Sequence, residues 1–182
     1  MISKHTYEEH WEDLIRHKDK KVHLGIPEML QWLDDLPNKT QEEKKRAPKY
    51  PFNLLAGERR SYNANAIMRN PEWRKKDVVG LLKINPEDAQ EYAIADGDWV
   101  KCVSSIGSVK IKTFITDEIP KGMLSMPHGY GFDYPDQSEE AIGALANLLT
   151  SLEDCDPLAK TPYHKNVRVR IEKIDDPAKI SV

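Results

Sequence analysis

The segment WVKCVSSIGSVKIKTFI, residues 99–115, constrains the fold more than any other. Its two halves alternate apolar and polar side chains, the period of a strand with one buried face. Ile106-Gly107 joins them, so the segment predicts a β-hairpin. The same character extends over most of the chain from Tyr50 onward. Pro51–Ala56 predicts a buried strand and Gly80–Ile84 a second. The polar turn DEIPKGML leads into a short strand, Met123–Met126. The last strand, Asn166–Ile174, sets Val167, Val169 and Ile171 against Arg168, Arg170 and Glu172.

Helices in this region are few and short. Asn85 suits an N-cap, with Pro86 at the first helical position and Glu87 and Asp88 in the first turn, where the helix dipole favours acids. Ala89, Tyr92 and Ala93 should face inward, and Asp96-Gly97-Asp98 should form a turn. A second helix is predicted over 138–149, with Ser138 as its cap and Glu139 and Glu140 in its first turn. Short strands with one or two small helices predict a mainly β fold closed into a mixed barrel.

Residues 1–50 have a different texture. Tyr7, Trp11, Leu14 and Ile15 fall on one helical face, and Thr6 with Glu9 can make a capping box. A helix is predicted over 26–36, opened by Pro27, carrying Met29, Leu30 and Leu33, and ended by Pro37. The polar stretch 37–50 reads as a loop. The domain reading is therefore a helical extension and linker over 1–50, a barrel over 51–175 and a tail over 176–182.

Composition narrows the function. The net charge of −3 over 182 residues argues against nucleic acid as the main partner. No apolar run is long enough to enter a bilayer as a helix, and MISKHTYEEHWEDL lacks the apolar core of a signal peptide, so a cytoplasmic location is expected. Cys102 and Cys155 form no CxxC pair and read as ordinary reduced cysteines, which leaves no metal or cluster site to expect from them. His5 and His10 are five residues apart, about 140° around a helix, a poor spacing for a shared metal. The charge is unevenly spread. Residues 58–77 hold Arg59, Arg60, Arg69, Arg74, Lys75 and Lys76 against Glu58, Glu72 and Asp77, whereas residues 133–156 hold seven acidic side chains and no basic one. The first segment follows directly on the strand that ends at Ala56-Gly57, and its charge suits an anion.

The order of these landmarks resembles a known family. KINPEDAQEYAIADGDWVKCVSSIGSVKIKTFITDEIPKGMLSMPHGYG, residues 83–131, contains an Asn-Pro-x-Asp-Ala helix, then Ala-Ile-x-Asp-Gly-Asp-x-Val, a Ser-x-x-Gly hairpin, Pro-x-Gly, and a strand ending at Pro-His-Gly-Tyr. LLAGERR (54–60) and ANLLTSLEDCDPLAKTPYHKNVRVRIEK (146–173) flank it. In this order the motifs resemble the C-terminal domain of the molybdopterin-dinucleotide oxidoreductases, the dimethyl sulfoxide reductase superfamily, which includes formate dehydrogenases. Lys160 stands where that pattern often has glycine.

The resemblance implies a double-psi β-barrel, aspartate decarboxylase-like, that binds the guanine-dinucleotide form of molybdopterin. Molybdenum or tungsten would be held by ligands outside this chain. The partners implied are the remaining domains or subunits of a molybdoenzyme, and this chain alone should not turn over. Such a cofactor needs backbone N–H groups and guanidinium forks for its diphosphate, and mixed donors and acceptors for its rings. The cofactor-binding residues implied are Gly57, Glu58, Arg59, Arg60, Asn63 and Asn65 after the first strand. Pro127, His128 and Gly129 join them from the MPHGYG loop, Asn147 and Thr150 from Asn-x-Leu-Thr, and Asn166 before the last strand, with His164 a weaker candidate. The alternative is a double-psi barrel that binds a protein or peptide without cofactor. That class needs an exposed apolar patch rather than clustered Arg and Asn.

Overall fold

The computed structural model describes residues 14–58, 80–131 and 143–174. The chain divides into two compact units, Met1–Thr40 and Gln41–Val182.

In the first unit, α1 spans Pro27–Asp34, with proline at its first position as the sequence predicts. Upstream, the rings of His17 and His23 stack with centroids 4.1 Å apart, and Asp19 meets His23 Nε2 at 2.8 Å. The predicted helical face around Tyr7 and Trp11 lies largely outside the described residues. The loop predicted over 37–50 is a correction: a second helix, α2, runs Leu36–Arg46, starting in the first unit and ending in the second. Pro37 does not end a helix. It sits in the first turn of the next one, where its missing N–H costs nothing. Lys44, Lys45 and Arg46 occupy the last turn, where the dipole favours cations.

The second unit is built on six strands: β1 Phe52–Glu58, β2 Leu82–Ile84, β3 Trp99–Val103, β4 Ser108–Ile115, β5 Met123–Pro127 and β6 Val167–Lys173. They close into a barrel in the order β1-β5-β2-β4-β3-β6. β1 pairs with β5, and β2 with β4, in parallel. The other pairings are antiparallel, including the β3–β4 hairpin, with Trp99 opposite Lys112 and Val103 opposite Ser108. This is a closed, mixed β-barrel, as the strand pattern predicts, and a double-psi barrel, as the family resemblance implies. Alternate residues point inward. Leu54, Leu82, Ile84, Val100, Cys102, Leu124, Met126 and Val169 are each fully buried. Closure leaves no unpaired sheet edge among the described strands.

One end of the barrel is tied by side chains that bond to backbone. α3 spans Pro86–Glu91, and its N-cap Asn85 accepts from Glu87 N–H at 3.0 Å while donating to the Ile119 carbonyl at 2.8 Å. Asp88 is buried and accepts from Gly122 N–H at 2.7 Å. Asp96 accepts from Ile115 N–H at 2.7 Å. Ala89 and Tyr92 pack on the core as predicted, but Ala93 does not. Ala93 is exposed at φ 53°, and Ile94 takes the buried position. The reason is the helix stop. Ala93 N–H bonds to Gln90 O and Ile94 N–H to Ala89 O, which is a Schellman motif with alanine in the left-handed position.

The helix predicted over 138–149 is also corrected where it is described. Gly143 lies at φ 78°, outside the helical region, and only Ala146–Leu149 turns, as a 3₁₀ helix.

Candidate functional site

The strand directions gather the predicted residues at one end. β1 and β5 run parallel and finish there; their neighbours β2 and β6, antiparallel to them, begin there. β4 runs parallel to β2 and therefore also starts toward this end, which puts the β3–β4 turn there. This mouth therefore carries the end of β1 at Gly57-Glu58, the loop after β5 at Pro127–Gly129, the β3–β4 turn, and the approach to β6 at His164–Asn166.

A bulge shapes the end of β1. Ala56 pairs with Met126 and Glu58 with Pro127, so Gly57 is an extra residue between them. Its φ is 94°. A Cβ there would lie 3.0 Å from Cδ2 of His128 and 3.6 Å from its Nε2. Only glycine allows both that backbone angle and that approach. The His128 ring thus lies over bare backbone, at the point where the charged segment begins.

His164 reaches the same place from β6. Ala56 N–H donates to its carbonyl at 2.8 Å, which extends the β1–β6 ladder beyond the strands. The rings of His128 and His164 have centroids 5.9 Å apart, tilted at 58°. The loop that carries His164 is held by Asp156, whose carboxylate accepts from the Leu158 N–H at 2.9 Å and from the Ala159 N–H. Lys160 turns the chain at φ 57°, so the position that often holds glycine keeps the left-handed turn with a lysine.

The segment bearing Asn147 and Thr150 borders this mouth from two sides. A Cβ on Gly107, in the β3–β4 turn, would come within 2.6 Å of the Leu148 carbonyl oxygen, and one on Gly131 would strike the backbone of Leu145. Thr150 does not offer a free hydroxyl, because Oγ1 donates to the Asn147 carbonyl at 3.2 Å and closes the 3₁₀ turn. Asn147 and Asn166 are exposed.

Of the sequence-predicted site residues, the structure brings Gly57, Pro127, His128, Gly129 and Asn166 to the mouth, with Asn147 and Thr150 on the neighbouring turn. Arg59, Arg60, Asn63 and Asn65 lie outside the described residues, as does the Glu58 side chain. Sequence reading missed the anchor beneath the loop after β5. Tyr130 is buried, and a Cβ on Gly80 would lie 2.6 Å from its ring. An aromatic between two glycines, in His-Gly-Tyr-Gly, is the signal that could have found it.

Residues 52–168 match the family described as Molydopterin dinucleotide binding domain. The chain belongs to that family. It is 30% identical over 174 residues to the F420-dependent formate dehydrogenase subunit alpha of Methanocaldococcus jannaschii, covering 92% of this chain and 23% of the relative. It is 36% identical over 126 residues to dimethyl sulfoxide reductase DmsA of Escherichia coli, covering 69% of this chain and 15% of that one. The chain thus spans less than a quarter of the curated relatives named here. Among solved structures, acetylene hydratase from Pelobacter acetylenicus superposes with a TM-score of 0.58 at 21% identity, over 72% of this chain and 19% of that one. That likeness concerns the fold alone. Membership makes molybdopterin dinucleotide the cofactor and favours cofactor binding over the peptide-binding alternative.

The mouth fits such a group. A bare backbone edge at Gly57 admits a close ligand, two imidazoles offer ring nitrogens, and the exposed amides of Asn147 and Asn166 can donate and accept. Among the described residues no helix is long and apolar enough to cross a membrane.

Proposed function

We propose that this chain is the C-terminal part of a larger molybdenum or tungsten oxidoreductase and holds the guanine-dinucleotide form of its cofactor at the barrel mouth. The observation that carries this reading is the convergence of Gly57, His128 and the His164–Asn166 approach at one barrel end, within the family match. Gly57 lets the cofactor meet backbone. Arg59 and Arg60, which follow β1 in sequence, would pair with the diphosphate. Glu58, Asn63, Asn65, Asn147 and Asn166 would meet the donors and acceptors of the ring systems. Pro127 and Gly129 shape the loop that presents His128, and Thr150 fixes the turn that presents Asn147. When bound, the cofactor supplies the redox chemistry, and the protein supplies position and electrostatics.

The barrel over 51–175 is the binding domain in this reading, and residues 1–50 lead into it. The metal ligand and the remaining walls of the cleft belong to other domains or subunits. The whole protein is cytoplasmic in this reading, in keeping with free thiols at Cys102 and Cys155.

Amide NMR titration of the chain with guanosine diphosphate tests the site. Saturable shifts at Gly57, 127–129, 147–150 and 164–166 are expected. Shifts elsewhere, or none at millimolar ligand, would count against it.

A further inference from the structure

β1 lies between β5 and β6 in the barrel, and at its end one histidine follows β5 and another precedes β6. His128 leaves β5 and lies against Gly57. His164 approaches β6, with its carbonyl bonded to Ala56 N–H. The two half-buried rings have centroids 5.9 Å apart, and the His128 ring lies against Gly57, the one glycine of β1.

An imidazole gains its charge between about pH 5 and pH 8. Two charged imidazoles this close repel each other, and an anion beside both relieves that repulsion. Such an anion therefore binds more tightly when the pair is protonated, and its binding takes up protons. The diphosphate bridge of a dinucleotide carries two fixed negative charges. We infer that His128 and His164 form a proton-linked clamp on the diphosphate, so that the grip on the dinucleotide tightens as pH falls. This inference rests on the cofactor reading above. Among the described residues, the charged or titratable neighbours of these positions along the chain are Glu58 at the end of β1, Tyr163 and Lys165 beside His164, and Arg168 at the start of β6. Residues of those types hold a nearly constant charge across this interval, so among them the histidines are the variable.

The test uses the full chain and guanosine diphosphate mannose, whose phosphates are both esterified, so its own charge does not titrate. Calorimetry at about pH 5.5 and about pH 8 should show binding roughly tenfold tighter at the lower pH, with proton uptake, for one linked histidine. The ring Cε1–Hε1 resonances of His128 and His164 should titrate at higher pH with ligand than without it. Replacing both residues, His128→Gln with His164→Gln, should leave binding that no longer varies with pH, in a protein whose amide spectrum stays dispersed. Equal affinity at both pH values in the unaltered chain would overturn the clamp and leave the cofactor reading standing. The same pH dependence with guanosine, which has no phosphate, would assign the histidines to the base and overturn the clamp too. No binding at either pH, with unmoved histidine resonances, would count against the cofactor reading and remove the clamp with it.

Discussion

Gly57 and His128 compete for one volume: a Cβ on the first would lie 3.0 Å from the ring of the second. The bulge at Gly57 and the loop after β5 are therefore one construction, and a side chain at 57 should disturb both. Gly57→Ala adds a Cβ at φ 94°, where an L-residue is strained. The expected loss of stability is about 1–2 kcal/mol, measured by urea unfolding. The larger effect should fall on guanosine diphosphate binding, because the His128 ring must move. A variant that binds as well as the unaltered chain would show that this contact does not shape the site.

The same physics runs in reverse at two positions where a side chain occupies the left-handed region. Ala93 closes the Schellman motif after α3 at φ 53°, and Lys160 turns the loop before β6 at φ 57°. Neither needs its side chain for the turn, since the hydrogen bonds are made by backbone and by Asp156. Ala93→Gly and Lys160→Gly should each stabilise the fold by about 0.5–1 kcal/mol, read as a raised Tm. Because the sites are far apart in sequence and share no hydrogen-bond partner, the two gains should add. A loss of stability at either position would mean that its side chain makes contacts that outweigh the strain.

Much of the barrel was legible because its signals are local and periodic. The 99–115 hairpin, the Asn85 cap and the alternation of Val167, Val169 and Ile171 each announce their structure within a few residues. What failed were punctuation signs with two meanings. Pro37 can end one helix or begin the next, and only the chain that follows decides. Ala93 continues an apolar helical face by spacing, yet the helix stops one residue earlier and Ile94 takes the buried place. The run 138–149 has caps and acids, but Gly143 at φ 78° shows what a pattern count does not weigh. At the site, the motifs name the residues proposed to meet the cofactor, His128 among them. They ranked His164 low, because its partner lies 36 residues away and only strand order brings the rings together.

Asp98 should make the closed end of the barrel sensitive to acid. Its carboxyl lies below the usual range, first because Lys173 Nζ bonds it at 2.8 Å and then because Ala95 N–H donates to it at 2.8 Å. A carboxyl whose pKa is lower folded than unfolded stabilises the fold above its unfolded pKa, and that contribution fades as pH falls through the folded value. Asp98→Asn removes the charge and keeps the shape. The Tm difference between the two proteins should hold steady near neutral pH and shrink below about pH 4. A difference that does not change with pH would mean that the hydrogen bond from Ala95 alone sets the stability of this turn.

Cys102 and Cys155 should differ sharply toward thiol reagents. Cys102 points into the barrel from β3, opposite Val109 and Ile171, and is fully buried. Burial pushes its thiol up to about 12, because the thiolate would lose its water and gain no partner charge. Cys155 is partly exposed on the loop that bridges to Pro162. In the native protein a disulfide reagent at neutral pH should therefore modify Cys155 rapidly and spare Cys102, and denaturant should release the second thiol. The rate at Cys102 then reports opening of the barrel itself, because its side chain is fully buried in the barrel core. Ligands that stabilise the closed barrel should slow it further. Labelling of Cys102 at the rate of Cys155 without denaturant would mean that the β3–β4 hairpin opens independently of the remaining strands.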